Sequence, residues 1–532
     1  MLEVRFLTGR NNRIERSRFY LGIGVFAFAL VYVAWLSGDS FRHGIDEGIY
    51  IEGGRRVASG ESPYRDFFVL TGPLTFWVEG ILARWGGVNI LLMRLPVAVD
   101  LGFLTWAVYW LGLQFEGAAF STGLAFVFLT FASKPAQMVV NHRWDSAALA
   151  TAAILMAFAA GRQGSRRLWI LSGALAAAAA WATPSVVWIA VPLLVWSVWR
   201  GIRGLLGFLV GGISVTLAAA AYLASRHAFG PMMESMRWTA ANYAEANRVP
   251  YGFLGFASAA APAGSGLVEK LIAFAWSGWN VLPAILPLIA VAGWSWFLMR
   301  RRMARDGSNN PPALPGVFLL AAVAALVLST WPRWSATQLL FTCAIPFALC
   351  GLLLHRSLTA RLRPGVYAGV LLAASGMAAQ KAMTPLSEWT FPTRAGTMRG
   401  SADDARLLEP FERNVQPGDT MFVFPYAPAL YPLLNARNPT RYSFLQPGMM
   451  TAADELEALA ELRAAAPRWV VLADFPEAVV FSIWPGSDPA RIPMEAMHTY
   501  LFVHYREVER SRETWGPLIL MERLREPELP AR

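Results

Sequence analysis

Apolar runs too long for buried strands recur along this 532-residue chain, separated by arginine clusters and tryptophan-rich edges, and that pattern leaves a polytopic helical membrane protein as the fold class. A helix needs about 20 residues to cross a ~30 Å apolar layer. Spans are read at about 19–35, 88–112, 118–133, 145–160, 168–182, 184–199, 204–224, 279–299, 314–330, 337–354 and 365–381, eleven in all. Only 15% of residues are charged and mean hydropathy is +0.39, whereas soluble proteins are about a quarter charged. A disordered chain, a coiled coil and a soluble enzyme are thereby excluded. The eighteen residues before the first run are too long and too basic at their end (Arg16-Ser17-Arg18) for a cleavable leader, so an uncleaved first helix is expected.

The net charge of +10 sets orientation and does not call for nucleic acid, because the excess lies in short loops. Arg5, Arg10, Arg13, Arg16 and Arg18 precede the first span. Loops of the same parity carry Arg162, Arg166 and Arg167, then Arg200 and Arg203, then Arg300, Arg301, Arg302 and Arg305, then Arg356, Arg361 and Arg363. Those loops face the cytoplasm by the positive-inside rule, which puts the N-terminus inside and the C-terminus outside. With 43 arginines against three lysines and abundant alanine, the composition suggests a GC-rich bacterial genome, hence an inner membrane with a periplasmic outer face. Cys343 and Cys350 are about 10 Å apart on one helix, beyond disulfide reach, and say nothing of compartment.

That parity divides the chain into a transmembrane part, 1–384, and an outer soluble part, 385–532. Three segments fall outside: a first loop at 39–87, a loop from about 225 to 278, and everything after about 385. The last alternates helix-like 401–414, strand-like 421–424, helix-like 451–466, strand-like 469–472 and strand-like 518–521, which predicts a small α/β domain. Residues 74–85 are apolar and aromatic, but as a helix reach only ~18 Å, so they are expected to lie in the membrane interface.

Charged residues near the membrane edge are the candidates for chemistry. The first loop carries Asp46-Glu47-Gly48-Ile49-Tyr50, then Gly60 to Phe67 with Tyr64, Arg65 and Asp66, then Gly72-Pro73-Leu74. Held on the membrane surface, Asp46, Glu47, Arg65 and Asp66 could meet a lipid head group. Arg94 opens the next span, and an arginine within a span is usually paired or functional. His142 and Arg143 precede Asp145, which reads equally as the N-cap of its helix. Arg333 sits between interface tryptophans. His498 and His504 have no metal-like spacing, and neither a nucleophile elbow nor a phosphate loop is present.

The arrangement resembles the GT-C superfamily of membrane glycosyltransferases, in the branch of family 39, protein O-mannosyltransferases and aminoarabinose transferases. The acidic pair Asp46-Glu47, the run from Gly60 through Phe67 with Gly72-Pro73-Leu74, and Arg94-Leu95-Pro96 carry the likeness. Phe424-Pro425, Leu430-Tyr431, Asn438 to Tyr442 and Pro447-Gly448 look like the outer domain of bacterial members. Thr183-Pro184-Ser185 departs from the pattern, since many relatives have a lysine there.

The resemblance implies an inverting enzyme that moves a sugar from a polyprenyl-phosphate donor to an acceptor hydroxyl on a glycan, lipid or protein. It implies Asp46 as the base and Glu47 as its orienting or acceptor-binding neighbour. Arg65, Arg94, Arg143 and Arg333 are expected on the donor phosphate, with Tyr64, Asp66, His142 and Asp145 in support. A divalent ion bridging Asp46 and the phosphate is left open, and the sequence shows no dedicated ligand set for one. The rival reading is a transporter or flippase of lipid-linked sugars. It would call for discontinuous spans in two corresponding halves, and no such repeat is found.

Overall fold

The computed structural model describes residues 12–41, 46–253, 266–303, 314–511 and 516–525. Arg5, Arg10 and Arg305 of the orientation argument lie outside them. All eleven expected span positions are helical. Five helices are long and apolar enough to cross a membrane: Ile14–Ser37, Ile90–Leu113, His142–Gln163, Ile202–Ser225 and Trp279–Arg300. Ala118–Ala132, Pro184–Trp199, Pro315–Leu328 and Ala344–Ser357 are apolar but shorter, and Arg166–Ala182 and Arg363–Ser387 take the two remaining positions. Side chains such as Val191, Val195, Leu206, Ile213 and Leu217 are exposed on the bundle's outside, where lipid is the solvent.

Two expected spans are interrupted. The first breaks at Arg94, between Ile90–Met93 and Leu95–Leu113, where Pro96 has no N–H for the Leu92 carbonyl. The second breaks at Thr342-Cys343, between Ala336–Phe341 and Ala344–Ser357, and Pro346 likewise cannot donate to Thr342. Elsewhere small residues bring helices into backbone contact. A Cβ on Gly173 would meet the Phe208 carbonyl oxygen at 1.9 Å, and one on Gly211 would meet that of Ile170 at 1.9 Å. Helices Arg166–Ala182 and Ile202–Ser225 therefore pack as in small-residue membrane interfaces.

The two ends of the bundle differ. At one end Arg162 donates to Gln114 at 3.2 Å, and Glu116 contacts His355 at 3.2 Å and Arg356 at 3.8 Å. At the other end gather the first loop, a helix in the second large loop (Phe229–Ala246) and the C-terminal domain. That domain holds a four-stranded sheet in the order Met421–Phe424, Trp469–Ala473, Leu518–Arg523, Tyr505–Ser511, parallel in the first pair and antiparallel in the others. An antiparallel hairpin, Trp389–Thr393 with Gly396–Gly400, joins it to the last membrane helix. Arg399 of the hairpin pairs with Asp39 and donates to the Trp35 carbonyl at 2.7 Å, pinning the hairpin to the end of the first helix. Sequence reading missed the hairpin, the Phe229–Ala246 helix and the strand Tyr505–Ser511.

Candidate active site

The first loop is an ordered helical hairpin. Glu47–Ala58 packs along Leu74–Gly86, the segment expected at the interface, whose Ile81 and Trp85 are exposed. Glycines let the two approach: a Cβ on Gly53 would lie 2.4 Å from the Phe76 ring, and one on Gly54 would lie 2.4 Å from Glu79 Cβ. A third glycine docks the soluble domain, since a Cβ on Gly48 would stand 2.1 Å from the Ala429 backbone nitrogen. Asp46, at the N-terminus of the first of these helices, is thereby fixed where membrane and soluble parts meet.

A cavity of about 350 Å³ opens there, lined by both parts of the chain. Its volume falls within the ~300–1,000 Å³ usual for small-molecule sites. Asp46 lines it, and Tyr426 of the soluble domain donates its hydroxyl to Asp46 Oδ1 at 3.1 Å. Burial and the negative charge of Asp46 hold the Tyr426 phenol well above its ordinary value, so it stays a donor. No other hydrogen bond reaches the Asp46 side chain among the described residues, which leaves Oδ2 for a ligand. Tyr50 also lines the cavity, its ring 5.6 Å from that of His142.

Two arginines face the same space. Arg143, 8% exposed, makes no side-chain hydrogen bond or salt bridge among the described residues. Arg333 donates to the Ile483 carbonyl at 2.6 Å and reaches Asn247 Oδ1 at 3.5 Å. A short parallel pairing of Arg333–Ser335 with Val249–Phe253 holds it in place. Burial lowers the Arg333 guanidinium from its ordinary value, yet arginine remains charged. A buried arginine without an acceptor is costly and is adapted to an anion.

Of the other expected site residues, only His142 lines the cavity; the structure places the rest away from it. Arg94 is not on the cavity: it grips Glu47 through Nε–Oε1 at 2.7 Å and Nη2–Oε2 at 2.6 Å, and donates to the Ser37 and Ser40 carbonyls. Glu47 also accepts from the Val140 N–H at 3.0 Å, so its carboxylate is held against Arg94 and off the cavity wall. Arg65 is spent on Asp66, at 2.8 and 2.6 Å, and on the Arg226 carbonyl, away from the cavity. Tyr64, at φ 71°, donates to the Thr71 carbonyl at 2.6 Å and braces the loop. Asn141, not Asp145, caps the helix starting at His142; Asp145 accepts from Thr75 within the bundle. His142 lines the cavity with its Nδ1 held 2.6 Å from Thr183 Oγ1.

Sequence reasoning missed Tyr426, Tyr243, Asn247, Gln446 and Trp484, all on the cavity wall. One signal was present: Tyr426 follows the strand Met421–Phe424, and ligands of α/β sheets sit beyond the carboxyl ends of strands. The described donor set does not fit a divalent ion, because among the described residues Asp46 is the one carboxylate on the wall and Glu47 is locked to Arg94. Among the described residues no group of three or more His, Cys, Asp or Glu could hold a metal ion.

A helical membrane bundle, a helical hairpin over residues 46–87, an α/β domain and a cavity between them make up the fold. Comparison with solved structures agrees. ArnT from Cupriavidus metallidurans, bound to undecaprenyl phosphate, matches over 95% of this chain and 98% of its own, with TM-score 0.55 and 14% identity. The Archaeoglobus fulgidus oligosaccharyltransferase, in complex with Zn and sulfate, matches over 93% of this chain and 72% of its own, with TM-score 0.50 and 11% identity. No family model and no curated protein sequence matches the chain. The likeness therefore shows the fold, and the chemistry rests on the cavity.

Proposed function

We propose that the chain is an inverting glycosyltransferase that takes a sugar from a polyprenyl phosphate and places it on an acceptor hydroxyl at the periplasmic face of a bacterial inner membrane. The single observation that carries this is the pairing of one accessible carboxylate, Asp46, with two cavity-facing arginines, Arg143 buried and Arg333 half-buried. The undecaprenyl phosphate bound to ArnT, which shares the fold, supports a donor of that type.

In the proposed reaction Asp46 Oδ2 takes the acceptor's proton as its oxygen attacks the anomeric carbon. The bond from that carbon to the phosphate oxygen breaks, and the phosphate leaves with the electron pair. A single displacement through an oxocarbenium-like transition state inverts configuration. The leaving phosphate gains one negative charge, and Arg143 and Arg333 stand where it develops. Tyr426 holds the carboxylate in register.

Asp46→Asn tests the assignment. Transfer from a polyprenyl-phosphate sugar by the purified protein should fall about 100- to 10,000-fold, with folding preserved. Wild-type rates in that variant would remove Asp46 as the base.

A further inference from the structure

The wall that the soluble domain gives to the cavity has a buried donor with nothing to donate to. Gln446 is 3% exposed and lines the cavity, yet its Nε2 has no hydrogen-bond partner. Buried amide nitrogens are rarely left so, because an unmade hydrogen bond costs more than a made one returns. The backbone here is firmly placed: the main-chain carbonyl of Gln446 accepts from the Met449 and Met450 N–H groups at 3.2 Å, and the neighbouring Leu445 N–H donates to the Pro425 carbonyl at 2.7 Å. Three aromatic rings line the same cavity, with Tyr426 5.5 Å from Trp484 and 5.2 Å from Phe444. An amide that shares a cavity with an aromatic wall suits a ring that is apolar on its face and carries oxygens at its edge.

Charge narrows the class further. Among the described residues the wall's arginines and carboxylate amount to two guanidinium groups against one carboxylate, one net positive charge. A sugar joined to a polyprenyl phosphate is a phosphodiester with one negative charge, which closes the balance. A cationic amino sugar would find no second carboxylate on this wall, and an acidic sugar would compete with the phosphate for the arginines. Against the buried groups of this wall an uncompensated charge is expensive.

We propose that Gln446, with Trp484 and Phe444, forms the subsite that selects the transferred sugar, and that this sugar is uncharged. The proposal rests on the donor class given above.

The test uses full-length protein in lipid nanodiscs and measures affinity for four probes: undecaprenyl phosphate alone, and the same lipid carrying a neutral hexose, a neutral pentose or a 4-amino pentose. In the wild type at least one neutral glycolipid should bind more tightly than the bare lipid, and the amino glycolipid should not. Gln446→Leu should cut that ratio of glycolipid to bare-lipid affinity by about 3- to 10-fold, the worth of one neutral hydrogen bond. Gln446→Glu, of nearly the same shape, should turn the preference toward the amino glycolipid. A wild-type preference for the amino glycolipid, or ratios unmoved by both substitutions, would overturn the subsite while leaving the donor class standing. Failure of the bare lipid and all glycolipids to bind would instead overturn the donor class itself.

Discussion

Removing Arg94 separates two roles that sequence alone cannot tell apart. If it is a strut, as the structure places it, Arg94→Met strands the Glu47 carboxylate among buried groups, with Arg94 3% and Glu47 5% exposed. Four guanidinium hydrogen bonds disappear, two to Glu47 and two to the carbonyls of Ser37 and Ser40. Breaking one side of a buried pair costs about 3–5 kcal/mol, because the remaining charge loses its compensation. Replacing both residues leaves no stranded charge, so Arg94→Met with Glu47→Met should be less unstable than the sum of the single changes, the non-additivity expected of a contacting pair. Unfolding of detergent-solubilised protein, followed by tryptophan fluorescence, measures all three variants. Affinity for undecaprenyl phosphate is read in parallel on whatever fraction remains folded. An Arg94→Met protein of wild-type stability that no longer binds the lipid would refute the strut and return Arg94 to the phosphate.

Other expectations are simpler to check. Tyr426→Phe removes the one hydroxyl that, among the described residues, holds Asp46 and should lower the turnover rate by about 13- to 160-fold, the worth of a hydrogen bond to a charged group, as measured in the transfer assay. Gly48→Val places side-chain carbons where the Ala429 backbone stands, so the soluble domain should lose its seat, become more sensitive to limited proteolysis and take activity with it. Arg65 holds the Asp66 carboxyl below its ordinary range, so the pair stabilises the fold at neutral pH, and that contribution disappears as pH falls through the lowered Asp66 value. The stability gap between wild type and Arg65→Gln should accordingly be small and constant near pH ~7 and close toward pH ~3.

The membrane architecture was readable from residue order because it depends on local quantities. Hydrophobic run length gave a helix at every expected span position, and short continuous apolar runs at 421–424, 469–472 and 518–521 found the strands Met421–Phe424, Trp469–Ala473 and Leu518–Arg523. The too-short stretch after Pro73 came out as a separate helix for the same reason. Elements that owe their form to distant partners were missed: the hairpin at Trp389–Gly400 is held by Asp39 and Trp35, and Phe229–Ala246 leans on the soluble domain through Trp238, which donates to Asp454 at 3.2 Å.

The site divides in the same way. Residue type and proximity to a membrane edge singled out Asp46 and a set of arginines, since a charge beside a bilayer is conspicuous in any sequence. Which arginine faces the cavity could not be told from the chain, because Arg65, Arg94, Arg143 and Arg333 all sit at apolar boundaries. Folding sorts them by partner: Asp66 takes Arg65, Glu47 takes Arg94, and Arg143 makes no salt bridge among the described residues. Tyr426, 380 residues from Asp46 in sequence, meets it because Gly48 admits the soluble domain. Pair interactions across such distances depend on angstroms of approach, and a linear pattern carries no record of those.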